Sequence, residues 1–223
     1  MPNPDDLLKA DFKQCFKQMR HYDSIFTTLV IFAFVFFTAV VTATIVFSYQ
    51  AHPPNSAYLG LSILYGLVAT IGVLILAILL RNRVSFAFSA RFVNEVRGYY
   101  LSQIDSNFKN KTGLPVSSKF PRILNPGSVQ TIQMYFVVLF NAAFASASIL
   151  TFRCYSNQFC QDSFVPNFWF FAILTAIALI IQICWIILYL RSKDNFSADH
   201  GFFWSPPPPP PRPMPEPPEG ERK

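Results

Sequence analysis

The chain has 223 residues, 52% of them hydrophobic, with 25 Phe and only 13% charged. That is too apolar and too charge-poor for a soluble domain of this length, and it points to a membrane protein. The formal net charge of +6 comes from basic residues scattered between apolar runs, without the interleaved aromatics or modular motif of a nucleic-acid binder, so nucleic acid is not an expected partner.

Residues 1–23 read as a cytoplasmic amphipathic helix. Asn3 caps it, Pro4 takes the first helical position, and Asp5 and Asp6 occupy the first turn, where the positive end of the helix dipole favours them. Leu8, Phe12, Cys15, Phe16 and Met19 then recur at the helical period beside a basic stripe of Lys9, Lys13, Lys17 and Arg20. Two readings are open: a helix lying on the membrane surface, or an apolar face packed on another cytoplasmic helix of the same chain.

A membrane domain is expected over residues 24–192. Four stretches, Ile25–Tyr49, Tyr58–Leu80, Ile132–Phe152 and Phe168–Leu190, reach the ~20 apolar residues needed to cross a hydrocarbon layer of roughly 30 Å, and none holds a Lys, Arg, Asp, Glu or His. At these lengths only α-helices satisfy their own backbone, so the fold class is all-α: a polytopic bundle of four transmembrane helices. The mixed-charge segment before the first run, and that run's length, make it a retained helix rather than a secretory signal.

After the second span, "RNRVSFAFSARFVNEVRGYYL" continues without proline, so a helix unbroken from Tyr58 to Leu101 is expected to project about 65 Å in all. Arg91, Glu95 and Arg97 on it are candidate docking residues for a partner; Arg91 and Glu95 also have the spacing of a helical ion pair. Packing of this segment on the N-terminal helix is the plainer alternative. Residues 81–131 form the cytoplasmic helix and a following loop, in which Pro115, Pro121 and Pro126 punctuate the chain, "NPG" at 125–127 signals a turn, and Ser128 caps the third span.

On the third span Gln130, Gln133, Asn141, Ser148 and Thr151 share one narrow helical face. Amides are costly in lipid, so this face points at protein or water: either it packs within the chain, with Gln182 of the fourth span at similar depth, or it lines a pore between copies. Small residues at Ser62-x3-Gly66-x3-Thr70, Ala142-x3-Ser146, Ala143-x3-Ala147 and Ala172-x3-Ala176 favour close helix approach.

The loop "FRCYSNQFCQD" at 152–162 places Cys154 and Cys160 six positions apart. Of the 18 basic residues only Arg153 falls outside the tails and the middle loop, which puts both termini and that loop in the cytoplasm of a cell-membrane protein and the cysteines outside. An oxidising setting favours a disulfide between them, pinning the outer ends of spans three and four, over free thiols, a metal site or a redox pair. The tail, 193–223, is expected to be disordered; its "SPPPPPPRPMPEPPEGERK" offers Pro207, Pro210, Arg212, Pro215 and Pro218 in two overlapping SH3-type patterns for a cytoplasmic protein.

Chemistry is not expected. The three His are dispersed, and there is no metal, phosphate-loop or nucleophile motif and no cofactor motif. In outline the pattern resembles the tetraspanins and similar small four-helix membrane proteins, but the large cysteine-rich second loop of that family is missing. The expected function is a non-enzymatic membrane anchor, organiser or effector subunit acting through cytoplasmic partners, self-association or other membrane proteins. An oligomeric channel or membrane-permeabilising protein lined by the third-span face is the alternative, and a transporter component, which lacks a buried coupling charge, the weaker one.

Overall fold

The computed structural model describes residues 4–48, 55–103, 120–157 and 164–199. Four helices account for nearly all of them: α1 Pro4–Ser48, α2 Asn55–Gln103, α3 Val129–Asn157 and α4 Phe164–Asp199. Among the described residues there is no strand. All four helices are long and apolar enough to cross a membrane.

The boundary expected near residue 24 is not marked by any break. α1 runs through it for 45 residues, about 68 Å at 1.5 Å per residue. Its amphipathic start therefore shares one axis with the first apolar run and leaves the apolar belt at that run's own angle. α2 is likewise unbroken for 49 residues, about 74 Å. Proline placement accounts for this continuity: neither helix has one after its first turn, whereas Pro121 and Pro126 interrupt the approach to α3.

The helices run alternately up and down. α2 packs most extensively, against α3 on one side and α1 on the other; α4 leans on α3 and barely meets α1. The core holds Phe26, Phe37, Leu76, Leu79, Leu80, Met134, Val137 and Ile186, all nearly inaccessible. Phe37 lies 5.4 Å from Phe140 and 5.5 Å from Phe144 between ring centroids, and Tyr65 5.9 Å from Phe144, an aromatic seam joining α1, α2 and α3.

The expected entry to α3 is present. Ser128 N–H donates to the Asn125 carbonyl at 3.1 Å, closing the turn at Pro126 and Gly127, and Thr131 N–H donates to Ser128 Oγ at 3.3 Å. The serine thus occupies an orphan donor of the first helical turn.

Candidate functional site

Three layers of polar contacts cross the apolar bundle, and they fix its register. At the basic end, Arg83 of α2 is 4% exposed. Its Nη1 donates to Gln130 Oε1 of α3 at 2.7 Å, and Gln130 Nε2 donates in turn to Asp23 Oδ1 of α1 at 2.9 Å. One chain of hydrogen bonds therefore ties three helices where their apolar runs begin or end.

About 16 Å further in, counted from Arg83 back along α2 or from Gln130 forward along α3, lies Asn141, 1% exposed. With its amide nitrogen toward Ala69 and its oxygen toward Val73, Asn141 donates to the Ala69 carbonyl at 2.9 Å and accepts from Val73 N–H at 3.0 Å. The opposite orientation would face donor with donor and acceptor with acceptor. Ala69 and Val73 are ladder partners along α2, so the asparagine braces one rung of its neighbour. Gly72 makes the approach feasible: a Cβ there would collide with the Asn141 amide and stand 2.7 Å from its Cγ. The Gln182 amide of α4 comes within 3.4 Å of the same group.

Towards the opposite end, Ser62 Oγ donates to the Ser148 carbonyl and Ser148 Oγ to the Ser62 carbonyl, both at 2.8 Å. Tyr65 donates to Thr44 Oγ1 at 2.8 Å and so joins α1 to α2. Each hydroxyl bonds the other residue's backbone carbonyl, so Ser62→Ala and Ser148→Ala each remove one bond and are each expected to lower the unfolding free energy in detergent by about 0.6–2 kcal/mol. Unchanged stability in both variants would show that the reciprocal pair contributes nothing.

The third-span face thus meets partners inside the chain at Gln130, Asn141 and Ser148. Gln133 is half-buried. Thr151 turns back on its own helix, donating to the Ala147 carbonyl at 2.8 Å. Cys15 and Cys184 are free; Cys154 lies in the last turn of α3, and Cys160, its expected partner, lies outside the described residues. Pro207, Pro210, Arg212, Pro215 and Pro218 lie outside them as well.

The extension of α2 beyond residue 80 does more than project. Arg83, Arg91 and Asn94 fall within about 80° of one another around the helix, and together they hold the segment before α3. Asn94 Nδ2 donates to the Phe120 carbonyl at 2.7 Å, Arg91 Nε to Pro121 at 3.1 Å, Arg83 Nη2 to Arg122 at 3.2 Å and Arg83 Nε to Ile123 at 3.3 Å. Four successive carbonyls are thereby occupied, a polar solution for a backbone that has no ladder of its own. Buried Ala87 and Ala90 share this face by spacing and keep it low.

The sequence makes Arg91 a partner-facing residue; it is instead 5% exposed and ion-paired with Asp194 on α4. The reason is that a guanidinium this buried requires acceptors, and a carbonyl and a carboxylate supply them. Arg97 is half-buried, with Nη1 donating to Asn94 Oδ1 at 3.2 Å. Glu95 is half-buried too, and loss of solvation pushes its carboxyl above the ordinary value near 4.5. A raised carboxyl means the folded chain binds this proton more tightly than the unfolded one. Stability from this group is therefore full at acid pH and declines as pH rises through the raised value. Glu95→Gln is expected to flatten that decline in a pH series of thermal unfolding; an unchanged slope would assign it elsewhere.

No family model, curated protein or solved structure matches this chain. Among the described residues no three His, Cys, Asp or Glu side chains gather into a candidate metal site. What the basic end offers is a surface. Lys9, Lys13, Lys17 and Arg20 are exposed along α1, with the Arg20 guanidinium 4.9 Å over the Phe16 ring, while Leu8, Phe12, Cys15 and Met19 are half-buried on the neighbouring stripe.

Sequence reasoning passes over Arg83, Asn94, Gly72, Asp23 and Asp194. Arg83 and Asn94 carry a readable signal, the face they share with Arg91, Ala87 and Ala90. Gly72 carries a weaker one, since a lone glycine inside a span is also compatible with lipid contact. The Arg91–Asp194 pair spans two helices far apart in sequence and has no local signature.

Proposed function

We propose that this chain is a non-enzymatic multi-pass membrane protein, an anchor, organiser or effector subunit that presents its basic end to partners in the cytoplasm. The observation that carries the reading is the continuation of α1 and α2 past the apolar belt as a paired, antiparallel stalk about 30 Å long. The excess of Lys and Arg at this end supports a cytoplasmic orientation. The use of Gln130, Asn141 and Ser148 inside the bundle favours this reading over a pore between copies, which would need those groups turned outward. A disulfide between Cys154 and Cys160 belongs to the same proposal, as a clasp at the outer end.

The test is cross-linked purification from membranes of wild type, a chain ending at Ser205, and a stalk variant with Lys9, Lys13, Lys17 and Arg20 all changed to Gln. Partners are expected to be lost in one or both variants while the spans remain folded. Retention of every partner in both would overturn the proposal, and so would single-channel conductance by purified wild type that Asn141→Leu or Gln133→Leu abolishes. Labelling of Cys154 from outside intact cells without reductant would remove the clasp.

A further inference from the structure

The outward side of α1 carries two features that the bundle leaves unused. Within the apolar belt a recess of about 920 Å³ is bounded by the bulky Phe34, Val35 and Val46, with the small Thr38, Ala39, Thr42 and Ala43 between them. Beyond the belt, Lys9, Lys13, Lys17 and Arg20 are exposed. We infer that the two form one docking surface for another membrane protein: a transmembrane helix that seats in the recess and carries Asp or Glu side chains along its continuation at the basic end. Such a helix would supply the anchoring reading, on which this inference rests, with the chemistry of one of its partners.

Continuity of α1 joins the features. The helix is unbroken from Pro4 to Ser48, and at 100° per residue Lys13, Lys17, Arg20, Val35, Thr38 and Thr42 fall within about 60° of one another. A single straight helix laid along this face therefore meets the recess and the cations together. Among the described residues α1 packs on α2 and more lightly on α3; Ser24 and Ile31, which link the two features, are exposed as well.

Lipid alone accounts for neither feature. Acyl chains cover a smooth face as well as a recessed one, whereas small side chains let a second backbone approach closely, which is how helices pack in a membrane. Thr42 already donates to the Thr38 carbonyl at 2.9 Å, so its hydroxyl needs no polar group from the occupant. Beyond the belt, Lys13 and Lys9 stand about 15 and 21 Å before Asp23 along the axis. The headgroup layer adds only about 5–8 Å to each side of the hydrocarbon, so it cannot neutralise them. Among the described residues none of the four cations is in an ion pair. By spacing, Asp6 lies beyond Lys9 on the same face and Asp11 on the far side, which leaves the stripe a net positive charge.

Charge also decides against a second copy as the occupant. Two copies inserted in the same direction and paired through this face about a two-fold axis would set each basic stripe against its twin, and juxtaposed like charges oppose association. A partner with carboxylates at that height gains where a copy loses.

The experiment reconstitutes full-length protein with a synthetic single-span helix in phosphatidylcholine vesicles at physiological ionic strength and follows association by energy transfer. The probe has about 20 Leu and Ala residues, with alanines four apart, and a helical flank bearing four Glu; its twin bears four Lys. Saturable association of the Glu probe is expected, with the Lys twin weaker by about fivefold or more. Changing Lys9, Lys13, Lys17 and Arg20 together to Gln should bring the two probes within about twofold of each other. Ala39→Leu/Ala43→Leu, which fills the recess, should weaken the Glu probe about fivefold or more, and the control Ala176→Leu on the exposed side of α4 less than about twofold. Equal association of both probes with wild type, or of the Glu probe with wild type and the recess variant, would overturn the inference. So would energy transfer between two labelled copies of this chain that Ala39→Leu/Ala43→Leu abolishes, because the recess would then belong to a second copy. Comparison of the twin probes uses wild type only and so does not depend on how the variants fold. Failure of the probes while native partners are still lost from the chain ending at Ser205 would leave the anchoring reading intact; retention of every native partner would defeat that reading whatever the probes do.

Discussion

Replacing Gly72 with alanine is expected to destabilise the folded chain by about 1–3 kcal/mol, although alanine is the better helix former by about 0.5–1 kcal/mol. The added methyl occupies the space of the Asn141 amide. The asparagine must either swing away, leaving its polar atoms unpaired in an apolar interior, or hold α2 and α3 apart. Both outcomes forfeit its bonds to Ala69 and Val73. Asn141→Ala alone loses those bonds without the collision, and Gly72→Ala combined with Asn141→Ala is expected to recover much of the loss, because two small residues now face each other and the backbones can still close. Unfolding free energies in detergent measure all three variants. A Gly72→Ala protein as stable as wild type would show that the close approach is not required.

Arg83→Leu is expected to be the most damaging single change, at about 3–5 kcal/mol. Four partners depend on this side chain directly or at one remove: the Arg122 and Ile123 carbonyls, Gln130 Oε1 and, through Gln130, Asp23. Arg83→Lys is expected to recover only part, since an ammonium cannot reproduce the planar fork. The same variant supplies a local readout. Once the grip on 120–123 is lost, trypsin should cleave after Arg122 much faster than in wild type. Unaltered stability together with unaltered protection of Arg122 would mean that the carbonyls find other donors.

The four apolar runs are legible because a span repeats one requirement, exclusion of charge, over some twenty consecutive residues. Ser128 and the "NPG" turn are legible for the opposite reason, since caps and turns are decided by a few adjacent residues. Between these scales the sequence is less informative. The shared polar face of the third span can be seen, but not the neighbour it chooses, because Ser62 and Ser148, or Asn141 and the Ala69–Val73 rung, meet only after two helices have docked. Arg91 shows the limit most plainly. Four-residue spacing suggests Glu95, whereas burial makes Asp194 available on another helix. The absence of a break near residue 24 is also unreadable from charge alone, because a helix can carry a changed surface along one uninterrupted backbone.

The distribution of polar contacts also bears on how the protein is made. When α1 and α2 have entered the membrane, the Tyr65–Thr44 bond can already form, but the Arg83 fork, the Ser62 hydroxyl and the notch at Gly72 all await groups on α3 or just before it. α3 therefore acts as the keystone of biosynthesis: its arrival completes three layers at once. α4 comes last to a nearly finished core, which it touches by polar groups at Gln182 and Asp194. A ribosome stalled between the third and fourth helices would leave a nascent chain whose interior is already largely satisfied.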